Sequence, residues 1–492
     1  MAKFSYDTQP RLQFLGEGDI RRVHEGALEV LGRAGVFFDN EEALAVLERV
    51  GCTVDTEARI AKFPPALVED CLRMVPESFQ LYDRDGAPAF VVGGEGQCFD
   101  PGSAGLLFLD RDGRTARPAT SRDLIDVFRL VDALPLFPIQ ATALSVSDVP
   151  TGIVDCYRFY LYLKNSDKPV SGGAFTVGGV GRIAALLAVA AGGMDALRER
   201  PMATLDVCSA PALKWSDVSC HSLMDCARLG IPIETISVPM PGVASPATMA
   251  GSLLVHVAES LSGIVLAQAV CPGAKMILGG APMAFDMRYS TTSLNAVESS
   301  LIGNGYAQMA RYYGIPCHTY AGLADSKTVD AQAGLETAMS GILAVLSGIH
   351  MISGPGMVDF VNTMSLEKLV IDHEMARMAE RIARGVAVNE ETLAVDLICE
   401  LGPGGDYLTA KHTRRWFREE SCIPTDVIDK KGRTDGSTYS PEDILERAGK
   451  EAERLLENHQ PKALQAGQEQ QLDAVMHKIM KDQSIHSLPF VP

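Results

Sequence analysis

The chain has 492 residues, of which 47% are hydrophobic and 22% charged, a composition typical of a globular protein with a large core. Its formal net charge of −18 argues against nucleic-acid binding, which normally depends on a basic stripe. No apolar run reaches the roughly 18–20 residues of a membrane span, and the N-terminus lacks the apolar centre of a signal peptide. The eleven cysteines are irregularly spaced, which favours reduced thiols, so we expect a cytoplasmic protein with no membrane partner.

The first hundred residues predict short helices followed by β-hairpins. Helical spacing of apolar residues, with glycine or proline at the ends, predicts three helices: Ile20–Ala34, Asn40–Val50 and Pro64–Met74. Two strand segments follow, Phe79–Asp83 and Phe99–Ala116, with Asp-Gly turns at Asp85-Gly86 and Asp112-Gly113.

From about residue 117 a βα rhythm begins, in which a long helix alternates with a short apolar strand and a loop rich in small residues. The predicted strands are Pro138–Leu144, Pro169–Gly173, Met202–Cys208, Ile231–Val238, Lys275–Gly279, Ile315–Tyr320 and Ile349–Ser353. The predicted helices lie near Gly152–Lys164, Val180–Ala191, Val218–Leu229, Thr248–Val270, Ser293–Tyr313 and Gln332–Leu346. A Gly-Ile-Pro tripeptide begins two of the strands, at Gly230 and Gly314, where glycine can cap the preceding helix.

This rhythm predicts an α/β fold, a (β/α)₈ TIM barrel, with the segment Phe99–Leu107 as the source of the eighth strand. An open, doubly wound sheet is the structural alternative, although no Gly-x-Gly-x-x-Gly follows the first strand to support a dinucleotide site. We expect three parts: an N-terminal helical and hairpin extension at 1–95, the catalytic barrel at 96–390, and a loop and helical extension at 391–492. In the last part, Ser440 opens one predicted helix running to Asn458, and Gln465–Lys481 is predicted to be an exposed helix.

The active site of such a barrel lies at the C-terminal ends of its strands. There the sequence carries mainly small residues and prolines, which favours a wide mouth suited to a large planar ligand or a partner's macrocycle. Tight turning of the loops explains the same composition without any ligand. Aromatic residues near this mouth predict a cage for a quaternary ammonium ion, although most of them also fit simple packing. They are Phe99, Phe175, Trp215, Phe285, Tyr289, Tyr320 and Phe360.

The usual catalytic and metal-binding patterns are weak. Cys220-His221 and Cys226 lack the spacing of a zinc site. Cys317-His318 lies in a predicted strand, whose alternation sends the two side chains to opposite sides, so each is expected to be a core residue. The residues alone therefore predict a barrel with an open mouth and leave its reaction undetermined.

Several long segments resemble the trimethylamine methyltransferase family. They are the N-terminal stretch from Ile20 to Asp55, FPPALVEDCLRMVPESFQLYDRDG, FDMRYSTTSLNAVE at Phe285–Glu298, AGLADSKTVDAQAGLE at Ala321–Glu336 and LGPGGDYLTAKHT at Leu401–Thr413. Together they span nearly the whole chain. The resemblance implies a TIM barrel that methylates the Co(I) corrinoid (a cobalamin) of a small partner corrinoid protein, with no permanently bound cofactor or metal and with a homo-oligomeric assembly.

The founding members of that family carry pyrrolysine, whereas this chain has only standard residues. The resemblance is therefore to the non-pyrrolysine branch, which demethylates quaternary amines such as glycine betaine. A quaternary ammonium leaves as a neutral amine, so it needs positioning rather than acid–base activation. We expect the position that corresponds to pyrrolysine to fall within Asp325–Asp330.

The resemblance and the predicted mouth together give candidate site residues. The catalytic candidates are Asp325 and Lys327. The substrate-binding candidates are the aromatics Phe99, Tyr320 and Phe360, the counter-charge Asp100, and the carboxylate donors Arg288 and His350. The loops expected to face the corrinoid contain Gly172, Gly173, Gly280 and Gly354.

The leading hypothesis is methyl transfer from glycine betaine. Proline betaine, carnitine and γ-butyrobetaine are alternative substrates for the same chemistry. A protein of another class, a barrel that only binds a betaine or docks a corrinoid protein, also fits the sequence.

Overall fold

The computed structural model describes residues 10–432 and 442–488. Its centre consists of eight parallel strands. They are β1 (Cys98–Asp100), β2 (Gln140–Ala141), β3 (Val170–Gly173), β4 (Ala203–Cys208), β5 (Ile233–Ser237), β6 (Met276–Gly280), β7 (His318–Tyr320) and β8 (Met351–Ser353). A helix follows each strand. These helices are α1 (Ser121–Ala133), α2 (Val154–Asn165), α3 (Gly179–Ala191), α4 (Asp217–Leu229), α5 (Met249–Val270), α6 (Val297–Tyr313), α7 (Ala331–Leu346) and α8 (Leu366–Ala383).

The strands form two curved parallel sheets, one of five strands in the order β6-β5-β4-β3-β2 and one of three in the order β7-β8-β1. A parallel bridge between Leu278 and Cys317 links β6 to β7. On the opposite side, the N–H groups of Ala104 and Gly105 donate to the carbonyls of Thr142 and Ala143, just beyond β1 and β2. The architecture is therefore TIM-barrel-like, with apolar faces of the helices packed on the outside of the strands.

All seven strands expected from the βα rhythm are present, and the Phe99 segment supplies the eighth, because β1 pairs in parallel with β8. The expected doubly wound alternative does not account for this pairing of the first strand with the last. Gly230 and Gly314 end α4 and α6 in the left-handed conformation, as the Gly-Ile-Pro repeats predict. The helix expected from Ser293 begins only at Val297, because residues 291–293 form a strand.

Several short β-hairpins lie outside the eight central strands. They are Ser78–Tyr82 with Pro88–Gly93, Leu107–Leu109 with Ala116–Pro118, Ala284–Asp286 with Thr291–Ser293, and Met357–Val358 with Thr363–Met364. The first two turn at the expected Asp-Gly pairs, where Gly86 and Gly113 have φ values of 84° and 68°. One further helix, Met194–Glu199, follows α3.

The N-terminal helices cover α5. They are Glu17–Arg33, Glu41–Arg49 and Pro65–Met74, and they lie beside a small sheet in the order Lys214–Trp215, Val36–Phe38, Ile60–Lys62 and Thr53–Asp55. Within the described residues, α5 is the one helix long and apolar enough to cross a membrane. It is buried between the N-terminal helices and the sheet, and a helix that is apolar all round is typical of such a position.

The C-terminal part contains the helices Glu390–Leu393, Val395–Leu401, Lys411–Glu420, Ile444–Asn458 and Gln468–Asp482. The expected helix start at Ser440 lies outside the described residues, and Asp443 caps the helix by accepting from the N–H of Glu446. The last helix was expected to be exposed, but it buries Leu472, Met476, Ile479 and Met480 in the main core, on the side of α3. Its apolar stripe is short, which is why the sequence suggests a solvated helix.

One buried ion pair fastens α8 to the barrel. The Lys368 ammonium donates to both oxygens of Asp372, at 2.7 and 2.6 Å, and to the Thr337 hydroxyl at 2.7 Å. Asp372 in turn accepts from the N–H of Gly356 at 2.7 Å, so the pair also holds the loop after β8. Both charged side chains are only 1% exposed.

We expect Lys368→Met to lower the free energy of unfolding by about 3–5 kcal/mol, because it leaves the Asp372 carboxylate buried without its cation. Urea unfolding followed by circular dichroism measures this loss. The matched control is Arg21→Met, which breaks an exposed pair of the same i,i+4 spacing with Glu17 and should cost less than about 1 kcal/mol. Equal losses in the two variants would contradict the assigned role of the pair.

Candidate active site

The lumen of the barrel is lined by ionisable side chains rather than by a purely apolar core. Because side chains alternate along a strand, β1, β4, β5 and β7 each turn one such residue inward. These residues are Asp100, Asp206, Glu234 and His318, and their charges influence one another. Asp100, Glu234 and His318 are each 1% exposed.

Ser353 on β8 joins Asp100 to His318, and His318 in turn contacts Glu234. The Ser353 hydroxyl donates to Asp100 at 2.8 Å, so its oxygen is left to accept from Nε2 of His318 at 2.9 Å. His318 Nδ1 then lies 2.7 Å from Oε1 of Glu234, in a close contact that is off the direction of a good hydrogen bond. When Nε2 of His318 carries the proton, Nδ1 has only a lone pair, which repels the Glu234 carboxylate. The contact between Nδ1 and Oε1 is therefore favourable only if a second proton sits on His318 Nδ1 or on the Glu234 carboxyl.

Burial disfavours charge on every member of this cluster. It raises the pKa of Asp100 to about 8 and that of Glu234 to about 8. The pKa of Asp206 is raised to about 7 by burial and then by the charge of Glu234. Burial also lowers the pKa of His318. Near neutral pH the lumen is therefore poised between a protonated, neutral state and an anionic one, which a bound cation would favour.

Asp206 is the member of the cluster nearest to solvent. It is half-buried and accepts from the Ser171 hydroxyl at 3.2 Å. Asp206 precedes the exposed Cys208 by two residues, so both side chains lie on the same side of β4. Tyr320, also half-buried, packs edge-on against His318 with ring centroids 5.0 Å apart. Within the described residues, Oε2 of Glu234 has no hydrogen-bond partner. Water can therefore reach a lumen that holds a surplus of carboxylate oxygens.

Carboxylates on the surrounding helices hold the loops of the mouth. Asp155 of α2 accepts from the N–H of Phe175, after β3, and Glu336 of α7 accepts from the N–H of Asp325, after β7. Asp372 of α8 does the same for the loop after β8.

Glu259 of α5 makes the densest of these attachments. It accepts from the hydroxyls of Ser209 and Ser237 and from the N–H of Leu213, so it ties the loop after β4 to the end of β5. The mouth is thus built from small-residue loops whose positions are set by the helix layer.

Arg158 of α2 supplies a buried cation beside the lumen. Its guanidinium donates to the carbonyls of Thr142 and Gly173 at 2.8 and 3.0 Å and packs over the Phe175 ring at 4.4 Å. Burial lowers its pKa to about 10, while Asp155 and Asp206 oppose that change. Phe175 therefore stacks on a protein cation, so its face toward Arg158 is already occupied.

Asp325 and Lys327 lie in the loop after β7. The carboxyl of Asp325 accepts from the Ser293 hydroxyl, its second oxygen has no partner within the described residues, and burial raises its pKa to about 6. The exposed Lys327 donates to the Asp325 carbonyl at 3.0 Å and lies over the Phe360 ring at 3.7 Å. The structure thus brings Asp325, Lys327 and Phe360 together in one part of the mouth.

Other candidate residues lie elsewhere. Phe99 points away from the lumen into the main core, because it alternates with the inward Asp100. His350 precedes β8 at the end of the barrel opposite the mouth, where Nδ1 accepts from the N–H of Cys317. Arg288 is exposed at the tip of the hairpin after β6 and pairs with Asp286. Trp215 is buried against α5, and its indole donates to Ser262.

The candidate glycines allow close packing. A Cβ on Gly280 would lie 2.6 Å from the His256 ring, which stacks on Tyr306, and one on Gly354 would lie 2.1 Å from the Ala321 carbonyl. Gly172 faces Thr142 and Phe159, outside the lumen, whereas Gly173 lies beside Asp206.

Sequence reasoning missed Asp206 and Glu234 and assigned His318 to the core. A signal was available: a single acidic residue interrupts each of the apolar strands ATLDVC and IETIS. A buried charge in a parallel strand is costly unless it serves a purpose. Within residues 10–432 and 442–488, no group of three or more metal-binding side chains forms a candidate metal site.

Comparisons with known proteins agree with this architecture. The model of the trimethylamine methyltransferase (MTTB) family matches residues 2–484. A glycine betaine methyltransferase of Desulfitobacterium hafniense strain Y51 is 32% identical, over 92% of this chain and 94% of its own length. A trimethylamine methyltransferase MttB of D. hafniense strain DSM 10664 / DCB-2 is 30% identical, over 91% of this chain and 90% of its own.

Two solved structures share the fold. The crystal structure of a hydroxylamine MtmB complex has a TM-score of 0.54 at 14% identity, covering 98% of this chain and 91% of that one. The Methanosarcina barkeri monomethylamine methyltransferase (MtmB) has a TM-score of 0.50 at 15% identity, covering 93% of this chain and 99% of that one.

The raised pKa values predict how stability depends on pH. A carboxyl group whose pKa rises on folding binds more protons in the folded chain than in the unfolded one between the two pKa values, so the free energy of unfolding falls as pH increases through that interval. For Asp206 the interval runs from 3.8 to about 7. Asp206→Asn should make the decline shallower, by up to about 1.4 kcal/mol per pH unit.

Urea unfolding at a series of pH values measures this slope. The control is Asp195→Asn, whose side chain is 95% exposed and which should leave the slope unchanged. Parallel profiles for the wild type and Asp206→Asn would show that the lumen carboxyl titrates as it does in the unfolded chain.

Proposed function

The chain belongs to the trimethylamine methyltransferase family and is a methyltransferase; on that premise we propose that it transfers a methyl group from glycine betaine to the Co(I) corrinoid of a partner corrinoid protein. The observation that carries the choice of a quaternary amine is the surplus of carboxyl groups in a lumen that water can reach. Asp100, Asp206 and Glu234 offer negative charge to a permanent cation, and the ring of Tyr320 lies beside them.

The chemistry fits residues that position a substrate without transferring a proton to it. The C–N bond of a quaternary ammonium breaks with its electron pair remaining on nitrogen, so the product, dimethylglycine, leaves as a neutral amine while the methyl group passes to the nucleophilic cobalt. The protein then has to hold the cation and align one N–CH₃ bond with the mouth. A trimethylamine substrate would lack the permanent charge, and the chain has only standard residues to activate it.

We assign the carboxylate end of the betaine to the loop after β7. The Lys327 ammonium is exposed there and supplies a cation that trimethylamine would not need, while Asp325 fixes the loop through Ser293. Phe360 lies under Lys327 and gives the mouth an apolar wall. We therefore keep Asp325 and Lys327 as the proposed catalytic residues, which contact the substrate directly. Arg288 and His350 become secondary candidates, because one is engaged by Asp286 and the other lies at the far end of β8.

The mouth suits a partner that brings a large flat cofactor. Small residues leave little side-chain bulk around it: Gly172 and Gly173 end β3, Gly280 ends β6, and Gly354 begins the loop after β8. We propose that the eight strands close into a (β/α)₈ barrel, which the contacts at both seams support. The proposed catalytic part remains 96–390, with extensions at 1–95 and 391–492. A cytoplasmic location is supported by the eleven cysteines, all of which are free thiols.

We expect the chain, mixed with its Co(I)-loaded corrinoid protein and glycine betaine, to convert the Co(I) absorbance to that of methyl-Co(III). Parallel reactions with proline betaine, carnitine, γ-butyrobetaine and trimethylamine set the substrate range. Conversion with another quaternary amine alone would change the substrate but keep the chemistry. Conversion with trimethylamine alone, or no conversion with any amine, would contradict the proposal; the second result would indicate a protein that only binds.

We expect Asp206→Asn to raise KM for glycine betaine at least tenfold at pH 8, because it removes the most accessible negative charge of the lumen. In the wild type, KM should fall as pH rises through 7 to 8, where Asp206, Asp100 and Glu234 lose their protons. The Asp195→Asn protein serves as the control. An unchanged KM in Asp206→Asn, with the fold intact, would remove this carboxyl from the binding site.

A further inference from the structure

One buried amide at the mouth of the barrel has no hydrogen-bond partner. It belongs to Asn295, which lies between the hairpin after β6 and helix α6 and is 4% exposed. Within the described residues, neither its Nδ2 nor its Oδ1 makes a hydrogen bond. Burying a polar group without a hydrogen bond is costly, and most buried amides are satisfied within their own chain or by water. An amide unpartnered at both ends, at the mouth of such a barrel, indicates contact with a ligand.

The segment that carries Asn295 is held against the loop after β7. The Ser299 hydroxyl donates to the Ser293 carbonyl at 2.9 Å, which fixes the turn around Asn295. The Ser293 hydroxyl donates to the Asp325 carboxyl, and the N–H of Asn295 interacts with the same carboxyl. Lys327 is attached to the same residue, because its ammonium donates to the Asp325 carbonyl at 3.0 Å. Asn295 and Lys327 are therefore both tied to Asp325.

The N-terminus of α6 adds positive potential at this place. Asn295 immediately precedes Ala296, the N-cap of this helix of 17 residues, and Ala296 has no side chain that can accept from the first turn. The free N–H groups and the dipole of a helix N-terminus favour a negatively charged group. Glu298 of the first turn is exposed, so solvent screens its charge. The charge of Asp325 opposes an anion here, and the Lys327 ammonium, which interacts with that charge, offsets it.

These groups share one chemistry, which is that of a carboxylate receptor. Nδ2 of Asn295 offers two N–H donors, α6 offers backbone N–H groups, and Lys327 offers an ammonium. A carboxylate only accepts hydrogen bonds, and it has sites for several donors at once. Water at the mouth can donate to the remaining Oδ1 of the amide.

We propose that Asn295 contacts the carboxylate end of the substrate and, with Lys327, makes the site prefer a quaternary amine that carries a carboxylate over one that does not. This inference rests on the proposed function, because it assigns a contact to the same substrate. Asn295 then determines specificity, while the lumen carboxyls hold the cationic end.

Calorimetric titration of the full chain with glycine betaine and with tetramethylammonium tests this assignment. Tetramethylammonium has the same cationic head without the carboxylate. The ratio of the two dissociation constants within one protein cancels any change in the fold or in the cation site. Asn295→Leu, which keeps the volume and removes the donor, should weaken glycine betaine binding by at least about tenfold and change tetramethylammonium binding by less than about twofold. Asn295→Ala should give the same result if leucine disturbs the loop.

The matched control is Asn304→Leu, which removes another buried amide, in the middle of α6, and should keep the wild-type ratio. The melting temperature of the ligand-free protein is a second readout. It should be at or above the wild-type value in Asn295→Leu, because an unpartnered amide is removed. A clearly lower value would mean that the amide has partners in the folded chain, and would overturn the inference.

The titrations also separate this inference from the proposed function. A wild-type ratio in both Asn295 variants would overturn the inference alone. Equal loss of both ligands also preserves the ratio, and would assign Asn295 to the packing of its loop. A wild type that binds neither ligand would contradict the proposed function and the inference with it.

Discussion

Burial of carboxyl groups in the lumen is the constraint on which the rest of the structure depends. Removing a carboxylate from water costs several kcal/mol unless a cation or a proton compensates. Among the described residues, His318 lies within the cluster of Asp100, Asp206 and Glu234, and the Arg158 guanidinium beside the lumen favours the charged form of Asp206. Because of this cost, the pKa values of the three carboxyl groups rise toward 7 to 8, and the groups can hold protons near neutral pH. The cluster is therefore a poor core for stability and a good receptor for a molecule that brings a permanent positive charge.

Hydrogen bonds from the surrounding helices fix the loops at the mouth of the barrel, where the lumen cluster contributes little stability. Asp155, Glu259, Glu336 and Asp372 each accept hydrogen bonds from a loop at the C-terminal end of a strand. Loops built from glycine, serine and proline would otherwise lose much of their order to conformational entropy. The arrangement lets the mouth remain free of bulky side chains, which an incoming macrocycle requires, while the substrate site below it keeps a defined geometry.

Much of the fold was predictable because it depends on local pattern. The periods of 3.6 and 2 residues, with glycine and proline at the boundaries, located the eight central strands and most of the helices, down to the Gly-Ile-Pro caps at Gly230 and Gly314. The last helix was misjudged, because exposure depends on what packs against it: Leu472 and Met476 enter a core whose other side lies almost 300 residues earlier, on α3.

The site was less predictable, because it depends on which way each strand faces. A shift of one residue turns a side chain from the lumen to the helix layer, which separates Asp100 from Phe99 and His318 from Cys317. Sequence reasoning placed Asp100 and Tyr320 near the substrate and gave His350 a substrate-binding role as well. His350, however, precedes the first residue of β8, at the end of the barrel opposite the mouth. The pairing of His318 with Glu234 brings together β7 and β5, and no local pattern reports that contact.

Calorimetry of glycine betaine binding at pH 7, repeated in two buffers of different ionisation enthalpy, tests the central claim most directly because it counts protons. If the lumen carboxyls form the cation site, binding will release protons to the buffer, as Asp206 with its pKa of about 7 and its neighbours become charged. The observed enthalpy will then depend on the buffer, and this dependence will be reduced in Asp206→Asn. Binding without proton release, or with proton uptake, would contradict the account.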